Sequence, residues 1–274
     1  MNKLSVIVFI WLAAFFINCK QSPGVNASER ASENQTDNPL VGEWMRMSYN
    51  GPLRIHFKKD GTVEYDFNND GKIEVTSTFD VKDDTIVFTD REGKTCPEPG
   101  TYQMNLNSHY LAFNLIDDNC GGRIKKVMAF WVRPDYKKEL NKLSEKISES
   151  NQSGDYLARA RMYMAVNKSD KAKADFDYYI ENAKPNARVY ANRAGTRFPG
   201  DMKGVVSDCN KALELDAEYK NAYFLRGLAL YELGKKEEAC KDFKRAIELG
   251  FSVLRSAEHH RCVEYWDEQL SKEQ

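Results

Sequence analysis

The C-terminal half of the sequence repeats itself, and this repeat limits the possible fold more than any other feature. When the chain is aligned with itself, three segments correspond at Tyr156, Tyr190 and Tyr223, which lie 34 and 33 residues apart. Such a period predicts a stack of helix-turn-helix units, because one helix pair cannot bury its apolar face alone. Small residues fall where paired helices cross, and large apolar residues fill the seam between them. The other corresponding positions are Arg159, Arg193 and Arg226; Ala160, Ala194 and Gly227; Ala172, Val205 and Ala239; and Phe176, Cys209 and Phe243.

The pattern closely resembles the tetratricopeptide repeat (TPR) family. The third copy carries the family's signature at Tyr223, Gly227, Leu230, Ala239, Phe243 and Ala246. The first copy departs from it at Tyr179, and the second at Arg197. In the second copy, Phe198-Pro199-Gly200 closes the first helix early, because proline disfavours helix at the preceding residue. The resemblance covers residues 153–253 and implies a helical solenoid that binds other proteins.

The N-terminus predicts export. An apolar run from Leu4 to Ile17 has the length of a signal-peptide core and is short for a membrane span. It ends at Cys19 in a sequence that looks like a bacterial lipobox, although Asn18 stands where Gly or Ala is usual. We therefore expect a lipoprotein signal over residues 1–19, with lipidated Cys19 anchoring the chain to a membrane of the bacterial envelope, on its periplasmic or surface face. An ordinary secretory signal is the alternative.

Residues 20–38 are polar and aperiodic, which predicts a flexible tether, and residues 39–134 read as β-structure. Gly in the turns after Asn50, Asp60, Asp70 and Glu92 suits tight hairpins. About eight antiparallel strands in so short a segment predict a small barrel that closes its own edges. The predicted strands are Leu40–Arg46, Leu53–Lys58, Thr62–Phe67, Lys72–Asp80, Thr85–Asp90, Thr101–Leu106, Tyr110–Ile116 and Lys125–Val132.

Gly42-Glu43-Trp44 resembles the G-x-W motif of the lipocalin superfamily. That resemblance implies that Trp44 plugs one end of the barrel beneath an arginine, whose position Arg133 matches. Another small β-barrel or a sandwich is the alternative. The predicted fold class is thus a two-domain chain: a small lipocalin-like antiparallel β-barrel followed by an all-α TPR solenoid. A linker helix at 135–152 would join them, and residues 254–274 would form a capping helix.

The cysteines predict disulfides, because an exported protein meets an oxidising compartment. We expect Cys96 to pair with Cys120, and Cys240 with Cys262, while Cys209 in the repeat seam stays a buried free thiol. Free thiols at Cys96 and Cys120 remain an alternative. A bridge between Cys209 and Cys240 is the rival to the second pair.

No residue pattern favours a cofactor or catalysis. Residues 66–74 carry oxygens at the first positions of a calcium loop, but Ser77 stands where a bidentate Glu is usual, so an Asn- and Asp-rich hairpin turn is favoured. His259, His260 and Cys262 lack the spacing of a zinc site. Forty basic and 41 acidic side chains nearly cancel, which argues against nucleic-acid binding. We expect no metal, no cofactor and no enzymatic activity.

The function predicted is a scaffold that holds a protein or peptide partner on the concave face of the solenoid. In the family, repeat positions five, nine and twelve line that face, which suits apolar anchors of a peptide. A carrier or sensor that holds a small apolar ligand in the barrel is the second hypothesis. A third possibility is that Phe224 and Tyr231 pack under the barrel or the linker helix and leave no groove. The predicted partner-binding residues are Leu157, Arg161, Met164, Ala191, Gly195, Phe198, Phe224, Leu228 and Tyr231.

Overall fold

The computed structural model describes residues 38–48, 51–92, 96, 98–251, 262–263 and 265–267. The predicted signal sequence with Cys19, the tether up to residue 37 and most of the predicted capping helix lie outside the described residues. Within the described part of the chain, no helix is both long enough and apolar enough to cross a bilayer.

The N-terminal half is an eight-stranded antiparallel sheet in which each strand pairs with the next along the chain. An isolated bridge between Met45 and Val132 joins the first strand to the segment after the last, so the sheet curls into a near-barrel. The predicted antiparallel barrel is confirmed at this level. The strands are β1 Gly42–Ser48, β2 Gly51–Phe57, β3 Thr62–Asp66, β4 Val75–Lys82, β5 Thr85–Glu92, β6 Gly100–Leu106, β7 Leu111–Asp117 and β8 Phe130–Trp131.

The predicted last strand, Lys125–Val132, is wrong over most of its length. Helix α1 occupies Gly121–Val127, and only Phe130–Trp131 is strand. Arg123, Ile124 and Val127 are buried at helical spacing, and Arg123 Nε donates to Asp118 Oδ2 at 2.6 Å. A short apolar run is compatible with either a helix or a strand. The buried ion pair between Arg123 and Asp118 favours the helix, and the local pattern of apolar residues does not indicate this pair.

Aromatic side chains fill the barrel interior. Phe57, Phe88 and Tyr102 are almost completely buried, and their rings contact those of Phe79 and Phe113. Neighbouring centroids lie 5.0 Å apart for Phe57–Phe79 and 5.6 Å apart for Phe88–Phe113, in edge-to-face arrangements that aromatic pairs favour. The barrel is therefore a packed core over the span of these rings.

Trp44 is buried, with the Arg133 guanidinium on the face of its ring. The indole Nε1 donates to the Leu40 carbonyl at 2.9 Å, and the Arg133 guanidinium carbon lies 3.9 Å from the ring centroid. Arg133 Nη1 also donates to the Glu43 carbonyl at 3.2 Å. A Cβ on Gly42 would lie 2.8 Å from Arg133 Nη1, and its φ is +111°, so glycine is required there.

Between residues 135 and 251, seven helices follow the barrel: a linker helix, and then six helices that form three stacked pairs. The linker is α2 Tyr136–Ser150; the pairs are α3 Ser153–Ala165 with α4 Ser169–Asn182, α5 Ala187–Arg197 with α6 Met202–Leu215, and α7 Lys220–Glu232 with α8 Lys236–Glu248. Small residues stand at the crossings, as predicted: a Cβ on Gly227 would lie 2.5 Å from Phe243 Cε1. Helix α5 ends at Arg197, immediately before Phe198 and Pro199.

A repeated Arg–Asp ion pair joins the two helices of every pair. Arg159 donates to Asp175 through Nε at 2.8 Å and Nη2 at 2.7 Å, and Arg226 donates to Asp242 at the same two distances. Arg193 binds Asp208 in the same bidentate way. The three aspartates are buried. Because a buried carboxylate is costly unless it is paired, each arginine sets the position of the second helix against the first.

The same arginines also bind the preceding helix of the stack. Arg159 Nη1 donates to Ser144 Oγ on α2 at 3.1 Å, Arg193 Nη1 to Asp177 on α4 at 2.8 Å, and Arg226 Nη1 to Asn210 on α6 at 2.7 Å. Each guanidinium further lies within 6 Å of the tyrosine three residues earlier in its helix. We call these linked pairs the Arg–Asp ladder. The alignment of the chain with itself identifies the arginines of the ladder but not its aspartates.

Cys96 is bonded to Cys120, with Cα atoms 5.4 Å apart, and Cys240 to Cys262, with Cα atoms 5.5 Å apart. The second bond ties α8 to the described residues of the C-terminal segment. Cys209 is a buried free thiol, and burial raises its pKa to about 12. Its sulfur is thus kept both protonated and shielded from solvent.

We expect Arg159→Gln to destabilise the protein by about 3–5 kcal/mol, because it leaves the buried Asp175 carboxylate unpaired. Arg245→Gln is the matched control, since Arg245 pairs with Glu248 in solvent and its replacement should leave the stability nearly unchanged. Urea unfolding followed by circular dichroism measures both. Arg159→Met with Asp175→Leu should recover most of the loss, since no charge is then buried. A double variant no more stable than Arg159→Gln would contradict the ladder's proposed role.

We expect mapping of unreduced peptides to find the bonds Cys96–Cys120 and Cys240–Cys262. Iodoacetamide should leave Cys209 unmodified in the native protein between pH 7 and 9, since its thiolate is scarce there, and should modify it after unfolding. A peptide linking Cys209 to Cys240, or rapid native alkylation of Cys209, would show that the packing around this thiol differs from the structure.

Candidate functional site

The barrel packs directly against the linker helix and the first repeat. Met45, Tyr110, Ala112 and Val132 of the barrel form one hydrophobic cluster with residues of α2 and α3. The members from the helical side are Leu143, Ile147, Met162, Ala165 and Val166. The barrel core and the last helix pair also belong to one continuous cluster, so the two halves share buried apolar surface.

Between these contacts lies a cavity of about 330 Å³ that both halves line. The helical side comes from α3, α5 and the start of α7, which are the first helices of the three pairs. The barrel side comes from β1, β6, β7 and the segment around β8. The lining residues include Arg46, Met47, Asn105, Tyr110, Ala112, Asn114, Phe130, Arg161, Met164, Arg188, Asn192, Tyr219 and Asn221.

The charge of this cavity is one-sided. Arg46, Arg161 and Arg188 reach it, and none of the described residues that line it is an aspartate or glutamate. Arg161 donates to the Tyr110 hydroxyl across the interface, and Arg46 makes one long hydrogen bond of 3.4 Å to the Lys125 carbonyl. Burial lowers the pKa of Arg46. An arginine remains charged at any physiological pH, so three cations surround this space.

Several buried polar atoms of the cavity have no hydrogen-bond partner in the structure. They are Arg46 Nε, Asn114 Nδ2, Arg161 Nε, Asn192 Nδ2 and Asn221 Oδ1. Four of these five atoms are donors. Unsatisfied buried donors cost free energy, so an arrangement of this kind is suited to accept an oxygen-rich group.

The structure distributes the predicted partner-binding residues over three environments. Arg161 and Met164 line the cavity, and Gly195 lies beside Met164, because a Cβ there would be 3.6 Å from Met164 Cε. Ala191 is buried between repeats, and Leu157 packs half-buried against the first pair.

The remaining predicted residues lie in the second and third repeats. Phe198 is exposed over 37% of its surface. Phe224 stacks on Phe251 with ring centroids 4.6 Å apart, and Leu228 and Tyr231 pack half-buried against the cluster of the last pair and the barrel. Phe224 thus packs on a residue that follows α8. The alternative in which Phe224 and Tyr231 pack under the barrel or the linker helix and leave no groove stays a prediction.

The sequence comparison missed Arg46, Arg188, Asn105 and Asn114. Arg188 lies one turn before Asn192 on α5 and could have been found from helical spacing. The three barrel residues carry no local signal, because only the packing of the barrel on the repeats brings them to the cavity.

A second cluster lies in the loop between β3 and β4. One carboxylate oxygen from each of Asp66, Asp70 and Glu74 lies within 4.8 Å of the others. The loop's own groups already engage them: Gly71 N donates to Asp66 at 3.2 Å, and Phe67 N donates to Glu74 at 2.6 Å. Ser77, at the position of the missing glutamate, is on β4 and donates to Asp90 at 2.6 Å. These bonds have the form expected of an Asp-rich turn.

Comparison with known proteins identifies the helical half. A family model described as "Tetratricopeptide repeat" matches residues 221–250. Tetratricopeptide repeat protein 36 of Xenopus tropicalis is 40% identical over 93 residues, which are 31% of this chain and 46% of that protein. RNA polymerase II-associated protein 3 of Homo sapiens is 30% identical over 153 residues, which are 48% of this chain and 23% of that protein.

A solved structure, the first TPR of Spaghetti (RPAP3) bound to HSP90 peptide SRMEEVD, is 29% identical to this chain. The match covers 44% of this chain and 95% of that chain, with a TM-score of 0.37. The chain spans less than half the length of the two curated relatives. The three stacked helix pairs of the C-terminal half form tetratricopeptide-like repeats, and residues 221–250 match the family model itself.

Proposed function

We propose that the protein is a membrane-anchored, exported scaffold whose helical repeats hold a protein partner in the bacterial envelope. The observation that carries this proposal is the stack of three TPR pairs, whose first helices share one face. Repeats of this kind form extended surfaces suited to peptides and proteins. The described residues offer no arrangement of nucleophile and base that would suggest an enzyme instead.

The partner surface is the part of this face that the barrel leaves accessible. The barrel covers α3 at the first repeat, where Arg161 binds Tyr110. Beyond α5, Phe198 is a large apolar side chain in solvent. An exposed aromatic at the edge of a solenoid is a suitable central anchor, because aromatic residues are enriched among those that contribute most to binding.

The carrier hypothesis has less support. Rings fill the barrel interior around Phe57 and Phe88, so a lipocalin-like cavity is not present among the described residues there. A smaller space of about 190 Å³ lies at one end, lined by Tyr65, Phe67, Val75 and Val127 among others. We favour a barrel that acts as a structural module and covers part of the solenoid.

The proposal that the protein is exported and anchored to a membrane is based on its N-terminal sequence. The apolar run before Cys19 and the two disulfide bonds agree with an oxidising compartment. Acyl chains on Cys19 would hold the protein at the membrane, since each buried methylene contributes about 0.8 kcal/mol. The polar segment 20–38 would then extend the folded part away from the bilayer.

A photo-crosslinking amino acid in place of Phe198 should capture one discrete partner in the native cell. The matched control is the same amino acid at Leu215, which is 55% exposed and lies at the end of α6. This helix is the second of its pair and does not contribute residues to the cavity lining. Phe198→Ser should weaken binding of the identified partner about tenfold or more, by the loss of an aromatic anchor. Equal capture from both positions, or full binding by a folded Phe198→Ser protein, would exclude this surface.

Metabolic labelling with an alkyne fatty acid should mark the wild-type protein and leave Cys19→Ala unlabelled. The variant should also leave the membrane fraction, because its acyl anchor is gone. Cys209→Ala is the matched control and should label like the wild type. Equal labelling of Cys19→Ala would remove the lipoprotein assignment and leave an ordinary secretory signal as the explanation of the apolar run.

A further inference from the structure

We propose that the cavity between the barrel and the repeats is a binding site for a small organic oxyanion, a molecule that carries a carboxylate or phosphate group. The site is made by both halves of the chain together. It is separate from the partner surface at Phe198, so this proposal goes beyond the scaffold function and does not depend on it.

The first reason is the unbalanced charge. Arg46, Arg161 and Arg188 surround the cavity, and its described lining contains no carboxylate. Elsewhere in the helical half the arginines of the Arg–Asp ladder bind buried aspartates. The cavity arginines therefore differ from the structural ones. Cations gathered in a partly dehydrated space repel one another, and an anion between them would reverse that repulsion.

The second reason is the set of unpartnered donors. The Nε atoms of Arg46 and Arg161 and the amide nitrogens of Asn114 and Asn192 are buried without a hydrogen-bond partner. These groups come from β1, α3, β7 and α5, so both walls contribute. An oxyanion offers several lone pairs at once and matches the planar fork of a guanidinium. A neutral or cationic ligand would leave these donors unsatisfied.

The third reason concerns size and the apolar part of the lining. A volume of about 330 Å³ lies at the lower end of the range for small-molecule sites, and would hold a compact metabolite but not a folded partner. Met47, Ala112, Phe130 and Met164 supply apolar surface beside the arginines. A carbon skeleton could lie against them while its charged group meets the guanidinium groups.

An acidic residue, Glu218, lines an adjacent space together with Arg188 and Lys220. Glu218 is not among the residues that line the cavity itself. Arg188 lies near the start of α5 and Tyr219 just before α7, and both line the cavity and this adjacent space.

Titration calorimetry on the full chain tests the proposal with succinate and citrate as carboxylate probes and with inorganic phosphate and glycerol 3-phosphate as phosphate probes. Glycerol is the neutral control. We expect saturable binding of at least one anion at one site per chain, a matching rise in the melting temperature, and no effect of glycerol. The two groups of probes decide between carboxylate and phosphate.

Arg188→Gln should weaken that binding about tenfold or more, since a hydrogen bond to a charged group is lost, and Arg188→Lys should restore part of it. Arg46→Gln is a second variant at the opposite wall with the same expected effect. Arg245→Gln, an exposed cation outside the cavity, is the matched control and should bind like the wild type. Circular dichroism must show each variant folded.

Failure of every small anion to bind would overturn the proposal, as would equal binding by the wild type and both cavity variants. Binding of an acidic peptide without any small anion would also overturn it, in favour of a peptide site. Each of these outcomes leaves the crosslinking result at Phe198 unaffected, so the two proposals fail independently.

Discussion

The buried Arg–Asp ion pairs are the interaction on which the helical half depends. Apolar seams alone allow helices to slide, because dispersion and burial are non-directional. A bidentate guanidinium–carboxylate pair has a fixed geometry, and in this chain it recurs in each of the three helix pairs. Since each arginine also binds the preceding helix, the ladder sets the register between units as well as within them. The weakly matching second repeat, with Arg197 and Cys209 where the pattern has apolar residues, keeps its ion pair and its place in the stack.

The barrel is stabilised by a different interaction, the packing of aromatic rings in its interior. Eight short strands enclose a row of aromatic rings, and the buried Trp44 packs against the Arg133 guanidinium. Filling the interior with rings stabilises a small barrel but leaves little room there for a ligand. Any binding chemistry of this half is therefore expected on its outer face and ends, where Asn105 and Asn114 contribute to the cavity against the repeats.

The packing of the barrel on the repeats reduces the part of their concave face that a partner could reach. Barrel side chains pack against the first repeat. The sequence predicts Arg161 as a cation that faces the partner, but in the structure Arg161 donates to the Tyr110 hydroxyl. The surface left for a protein partner moves towards Phe198 and the later repeats. The space left beneath the barrel is small and lined by three arginines. On the two proposals made above, a protein would bind on the rim and an anion inside.

The sequence by itself determined the elements that rest on local periodicity. The 33- to 34-residue repeat predicts the helix pairs and hairpin glycines predict most strands, because each of these signals lies within a short stretch of chain. The contact of Trp44 with Arg133 was implied by the resemblance of Gly42-Glu43-Trp44 to the lipocalin motif, and the structure contains it. Helix α1 was missed because its deciding contact joins Arg123 to Asp118 outside the local apolar pattern. The sequence could not predict the cationic cavity, because its residues come from distant parts of the chain. Arg46 and Arg188 are far apart in sequence, and no periodicity relates a strand of the barrel to a helix of the repeats, so only the packing of one half on the other decided that they share a site.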